Sequence, residues 1–113
     1  MVTKYRKPCI TKEMFDVLKA QMEDVLKANG GSLEEMNYEP DHVHVLMELP
    51  PQACIARIVN GYKSASSKRM YRLFAEHLSC FYWKTVFWSR SYLVLSSGGA
   101  PIEVRHSRMS GII

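Results

Sequence analysis

Three features of this sequence predict a single α+β domain. Two segments carry apolar residues at helical spacing, one after Thr11 and one from about Gln52 to Leu78. Between them, Ser32 to Tyr38 and His42 to Leu49 read as two strands joined by the short connection Glu39-Pro40-Asp41. The 113 residues suffice for one core and not for two, and no repeat, low-complexity tract or linker divides them. Residues 1–113 are therefore expected to form one domain.

The elements follow in order. Val2 to Lys7 is a short basic strand candidate, closed by Pro8. Thr11 is suited to cap a helix whose apolar residues are Met14, Phe15, Leu18, Met22, Val25 and Leu26, and Asn29-Gly30-Gly31 ends it. The hairpin comes next, and Pro50-Pro51 stops its second strand. In the second helical segment Gly61 and Ser64 to Ser67 lower helix propensity, so a kink or a division into two helices is expected there. Val86 to Ser97, rich in aromatic and β-branched residues, predicts a last strand bulged near Ser89-Arg90. Gly98-Gly99 terminates it, and Pro101 is placed to open a final helix. The order β-α-β-β-α-β is the ferredoxin-like plan, an antiparallel sheet with two helices on one face and the other face open.

Composition excludes several classes. With 47% apolar and 23% charged residues the chain is not disordered. No uncharged run, neither Leu49 to Ala56 nor the longer Ser91 to Ile102, approaches the roughly 20 residues that span a bilayer. The N-terminus lacks the apolar stretch of a signal peptide. Cys9, Cys54 and Cys80 are scattered, odd in number and outside any C-x-x-C, which predicts reduced thiols in the cytoplasm.

Charge is segregated. Thr11 to Leu49 holds nine acidic residues and three lysines, whereas Ala53 to Arg90 holds seven basic residues and one acid, Glu76. A solvated helix face explains such a bias; so does a polyanion footprint. Aromatics from Tyr62 to Tyr92 interleave with the cations, the pairing that suits single-stranded nucleic acid, although most of them are expected in the core.

The stretch "PDHVHVLMELPP" sets two histidines in an apolar strand. Side chains alternate along a strand. Val43, Val45, Met47 and Leu49 then share the core face, and His42, His44, Leu46 and Glu48 the open one. Two imidazoles about 7 Å apart along a strand make an incomplete metal site that needs a further oxygen or nitrogen donor. H-x-H alone is equally compatible with two solvated histidines.

Several stretches together resemble one family. They are "VTKYRKP", "EPDHVHVLMELPP", the basic helix "IVNGYKSASSKRMYR" and "VFWSRSYLVLSSGGAPIEV", covering nearly everything from Val2 to Val104. The chain resembles the small single-tyrosine HUH transposases of compact bacterial and archaeal insertion sequences, shortened at both ends. The resemblance implies that His42 and His44 hold a divalent metal, Mg or Mn, against the scissile phosphate of single-stranded DNA. It also implies a tyrosine nucleophile on the last helix, a 5′-phosphotyrosine link, and rejoining without a nucleotide cofactor. Dimers and recognition of DNA hairpins are further implications. Lys63, Lys68, Arg69 and Arg72 are placed near the hairpin DNA.

The sequence departs from the family at its end. A Tyr-x-x-x-Gln motif is expected with its tyrosine near position 108 and its glutamine near 112, but Arg108 and Ile112 stand there. No tyrosine follows Tyr92, and Ser110-Gly111 is poor helix material, as in a frameshifted or decayed gene. Tyr92 reads as a packed sheet aromatic, Tyr62 and Tyr71 as core or DNA-contacting residues, and nothing positions His106 as a ligand. The expectation is a transposase by descent that lacks its own nucleophile. The alternatives are a non-catalytic remnant binding single-stranded or hairpin DNA, an active transferase whose tyrosine comes from a partner chain, and a metal or regulatory domain unrelated to DNA.

Overall fold

The structure, a computed structural model, describes residues 1–90, 95–96 and 109–112. Helix α1 spans Lys12–Ala28 and begins where Thr11 Oγ1 accepts the Met14 N–H at 3.3 Å. Met14, Leu18, Met22 and Leu26 form its buried stripe. At its end the Gly31 N–H returns to the Leu26 carbonyl at 2.8 Å, with Gly30 in the left-handed region at φ +79°. Gly31 then passes so close to the next strand that a Cβ would lie 2.4 Å from the Glu48 carbonyl oxygen. One glycine serves the turn and the other the close approach.

Strands β1 (Ser32–Glu39) and β2 (His42–Leu49) form an antiparallel hairpin across Pro40-Asp41, with one irregularity between Leu33 and Glu35. Val43, Val45, Met47 and Leu49 are buried, as the alternation predicts. They join Met36, the α1 stripe and Ile58, Val59, Tyr62 and Met70 in one core. Helix α2 (Ile55–Leu78) supplies the last four, and its Tyr62 hydroxyl donates to the Leu18 carbonyl of α1 at 2.9 Å. This is the ferredoxin-like α+β arrangement, with the histidine face of the hairpin left open.

Helix α2 does not break where its composition predicts. Gly61 and Ser64 to Ser67 stay helical, and the departure falls at Phe74 (φ −130°, ψ 28°). The reason is tertiary. Ser66 is fully buried and accepts the Trp88 indole N–H at 2.9 Å, so a small hydroxyl is needed mid-helix. Beyond Phe74 the final turn brings His77 Nε2 to the Cys9 carbonyl at 2.8 Å.

The expected first strand is reduced to two bridges, Val2 with His42 and Thr3 with Trp88, followed by a 3-10 turn at Lys4–Arg6. These bridges put the N-terminal segment between β2 and Trp88, the neighbours a ferredoxin-like first strand would have. The far end of the same β2 edge is taken by the tail. Strand β4 (Met109–Ile112) pairs antiparallel with Leu46 to Leu49 and with β3 (Leu95–Ser96), giving the order β1-β2-β4-β3. A short first segment leaves backbone donors and acceptors along β2, and a strand edge of that kind takes whatever extended chain is near. The predicted last strand is met in the described residues as the Trp88 bridge and β3. The helix expected after Pro101 lies outside them.

Candidate metal and nucleic-acid site

The site begins with the pleat. Because Val43 and Val45 turn inward, His42 and His44 emerge together on the open face of β2. Their ring centroids are 4.7 Å apart and nearly perpendicular, at 88°. The rings therefore converge relative to the strand spacing. Across the ladder Glu39 faces His42, Asn37 faces His44 and Glu35 faces Leu46. Glu35, Asn37, His44 and Leu46 line a shallow depression of about 240 Å³.

Asp41, in the turn, fixes one of the two rings. Its Oδ1 lies 2.6 Å from His42 Nδ1, and its Oδ2 lies 3.2 Å from the Arg6 guanidinium. The bond from His42, with Arg6 adding to it, holds the Asp41 carboxyl below the usual aspartate range. An ionised Asp41 accepts the Nδ1–H of His42, so that the tautomer it favours carries its lone pair on Nε2. His44 is shifted downward by partial desolvation first and then by its neighbour His42, which favours its neutral form. Two imidazoles on one face, one of them braced by a carboxylate, suit a divalent cation that keeps open positions. The set is incomplete: among the described residues no cluster of three or more His, Cys, Asp or Glu could hold a metal.

The four basic residues singled out in the sequence are not brought together. Lys68, Arg69 and Arg72 are exposed within little more than one turn of α2, Arg72 standing three and four residues after the adjacent pair. Lys63 is buried and donates to the Ser89 carbonyl. Desolvation lowers the pKa of its ammonium group. Nine positions separate Lys63 from Arg72, about half a turn off the exposed face at roughly 100° per residue.

The described tyrosines are mostly committed. Tyr62 is buried with its pKa pushed far up by desolvation. Tyr71 donates to the Val86 carbonyl at 2.6 Å, and Tyr82 to the Lys4 carbonyl at 2.7 Å. Tyr38 stacks on Phe15 at 4.6 Å. Only Tyr5, among the described residues, is an exposed tyrosine, at 71%. Tyr92, His106 and Arg108 lie outside the described residues. Sequence reading missed Asp41 and Arg6 as partners of the histidine pair; the Pro-Asp before His42 was the available signal.

A family model for IS200-like transposases matches residues 1–107. The chain belongs to that family. Among curated relatives, the ISDra2 transposase TnpA of Deinococcus radiodurans is 34% identical over 93 residues, 82% of this chain and 66% of that protein. The transposase for insertion sequence element IS200 of Salmonella typhimurium is 31% identical over 65 residues, 58% of this chain and 42% of that protein. The chain thus spans less than two thirds of the length of these transposases. A crystal structure from Deinococcus radiodurans R1, described as that of a candidate transposase, superposes with a TM-score of 0.69. It is 36% identical and covers 80% of this chain and 68% of that one. This likeness agrees with the α+β arrangement built above. Among the described residues no helix of this family member is long and apolar enough to cross a membrane.

Proposed function

We propose that the chain is an insertion-sequence transposase that binds single-stranded and hairpin DNA ends and lacks its own cleavage nucleophile. The observation that carries this reading is the histidine pair, 4.7 Å apart on the open sheet face with Asp41 bonded to His42. His42 and His44 would hold Mg or Mn, with further donors supplied by substrate or solvent. When bound, the metal supplies Lewis-acid polarisation of a phosphoryl oxygen.

The chain's own residues have the remaining tasks. Asp41 keeps His42 in one orientation, and the bond from His42, with Arg6 adding to it, keeps Asp41 ionised. Lys68, Arg69 and Arg72 present a cationic helix face to DNA phosphates. Lys63 anchors Ser89 and so positions the Trp88 segment behind the helix. Arg stands at position 108 where the family's tyrosine is expected, and the hydroxyls of Tyr62, Tyr71 and Tyr82 are each bonded to a backbone carbonyl. On this reading the chain alone grips DNA without forming a covalent link. A homodimer, which the sequence resemblance implies, belongs to the same proposal.

A native gel with a hairpin from the element's own end tests the binding half. Retardation should weaken steeply with salt and with Arg69→Ala and Arg72→Ala together, because each lost phosphate contact removes released counterions. Retardation indifferent to both would remove α2 from the interface.

A further inference from the structure

Away from the histidine pair, the structure leaves two large aromatic residues almost wholly in water. Trp83 is 89% exposed and Tyr5 is 71% exposed. Both line one recess of about 270 Å³, together with Lys7, Phe81, Tyr82 and Lys84. We propose that Tyr5 and Trp83 form a stacking clamp for one unpaired base of a single-stranded nucleic acid, with Lys4, Lys7 and Lys84 taking the adjoining phosphates. This is a second nucleic-acid site, and it deepens the transposase reading, on which the choice of strand rests.

Each aromatic ring already carries a cation. The Lys84 Nζ sits 4.8 Å from the Trp83 centroid and the Lys4 Nζ 5.5 Å from the Tyr5 centroid. A lysine held over one ring face leaves the other face for a planar heterocycle and its own charge for a phosphate. No acidic residue lines the recess. The floor is fixed, since Tyr82 is buried and its hydroxyl donates to the Lys4 carbonyl at 2.7 Å.

The backbone at Tyr5 is a second, independent observation. Tyr5 (φ 59°) and Arg6 (φ 52°) are two consecutive non-glycine residues in the left-handed region. A bulky side chain is rarely found there, and such outliers gather at binding sites when the surroundings over-determine them. Here the surroundings do so. Thr3 is fully buried with its hydroxyl 2.8 Å from the Lys7 carbonyl and 3.1 Å from the Asp41 carbonyl, and the Arg6 N–H donates to the Thr3 carbonyl at 2.9 Å. The turn that throws Tyr5 outward is also the one from which Arg6 reaches Asp41 beside His42. A strand held at the clamp is thereby tied, through one short segment, to the histidine face.

The test is fluorescence anisotropy of the full chain with a labelled oligothymidylate at low salt, beside an oligonucleotide of equal length with abasic sugars. Trp83→Ala and Tyr5→Ala should each weaken oligothymidylate binding by about five- to 150-fold, the range for losing one stacked base. The abasic strand should bind the unaltered protein as weakly as oligothymidylate binds the variants. Tyr5→Gly should weaken binding as much without lowering the melting temperature, because glycine accepts the left-handed backbone. Equal affinity for both strands, or variants that bind like the unaltered protein, would overturn the proposal. So would a Trp83→Ala chain that changes from dimer to monomer with its strand affinity intact, since the surface would then join two copies. Hairpin retardation measured in parallel separates the two readings. Loss with Arg69→Ala and Arg72→Ala but not with the aromatic variants sinks the clamp alone. Base-dependent oligothymidylate binding without hairpin binding leaves the clamp and sinks the transposase reading.

Discussion

Asp41 and His42 are adjacent in sequence and bonded in space, Oδ1 to Nδ1 at 2.6 Å, while the other oxygen of Asp41 faces Arg6. This carboxylate favours one tautomer of His42 and leaves His44 as its unbraced neighbour. Groups that orient a metal-binding histidine in this way typically account for about 10- to 100-fold of metal affinity. Asp41→Asn is therefore expected to weaken Mn²⁺ binding by about tenfold, read from the free-ion signal in electron paramagnetic resonance. His42→Ala and His44→Ala should each abolish it.

Ser66, one of two buried polar residues of α2 beside Lys63, accepts the Trp88 indole N–H. Ser66→Ala leaves that donor buried and unpaired. The expected loss is about 1–3 kcal/mol, seen as a lower urea midpoint with an unchanged slope. A larger residue there should cost more by pushing Trp88 away.

Two glycines should respond in opposite senses to alanine. At Gly31 the new Cβ would meet the Glu48 carbonyl at 2.4 Å, and the hairpin has to shift. About 1–3 kcal/mol of destabilisation is expected. At Gly61 a Cβ meets nothing within 4 Å and the residue is inside a helix. Gly61→Ala should raise stability by up to about 1 kcal/mol. Thermal melts of both variants decide this directly.

Cys9 is buried, whereas Cys54 and Cys80 are exposed. A thiol reagent should modify two of the three cysteines in the native protein and the third only in denaturant. Burial also pushes the Cys9 thiol up from its ordinary value. Above the unfolded thiol pKa, about 8.5, the unfolded chain releases a proton that the folded chain retains, so stability falls as pH rises. Cys9→Ala should remove that part of the alkaline slope, as followed by urea midpoints between pH 8 and 10.

The hairpin and its histidine face were legible because strand alternation fixes which side each residue takes once one side is apolar. The cap at Thr11 and the Gly30-Gly31 end were legible for similarly local reasons. The burial of Lys63 was not read, because it depends on where Ser89 comes to lie behind α2. The break at Phe74 follows from a tertiary contact, His77 to Cys9, that no local propensity announces. The pairing of β4 was equally hidden. Ser110 and Gly111 have weak strand preference, and their conformation is set by the β2 edge beside them. Asp41 could have been read as a partner of His42, yet a contact between sequence neighbours rests on turn geometry that spacing does not encode.

The central claim is a transposase that holds DNA without its own nucleophile. Its most direct test is a denaturing gel of the purified chain incubated with Mn²⁺ and a labelled single strand carrying the element's end, beside a native gel of the same mixture. The account predicts a hairpin-dependent shift on the native gel and no protein–DNA band after denaturation. A band that survives denaturation and disappears on Tyr92→Phe or Tyr5→Phe would contradict it, because a tyrosine of this chain would then be the nucleophile.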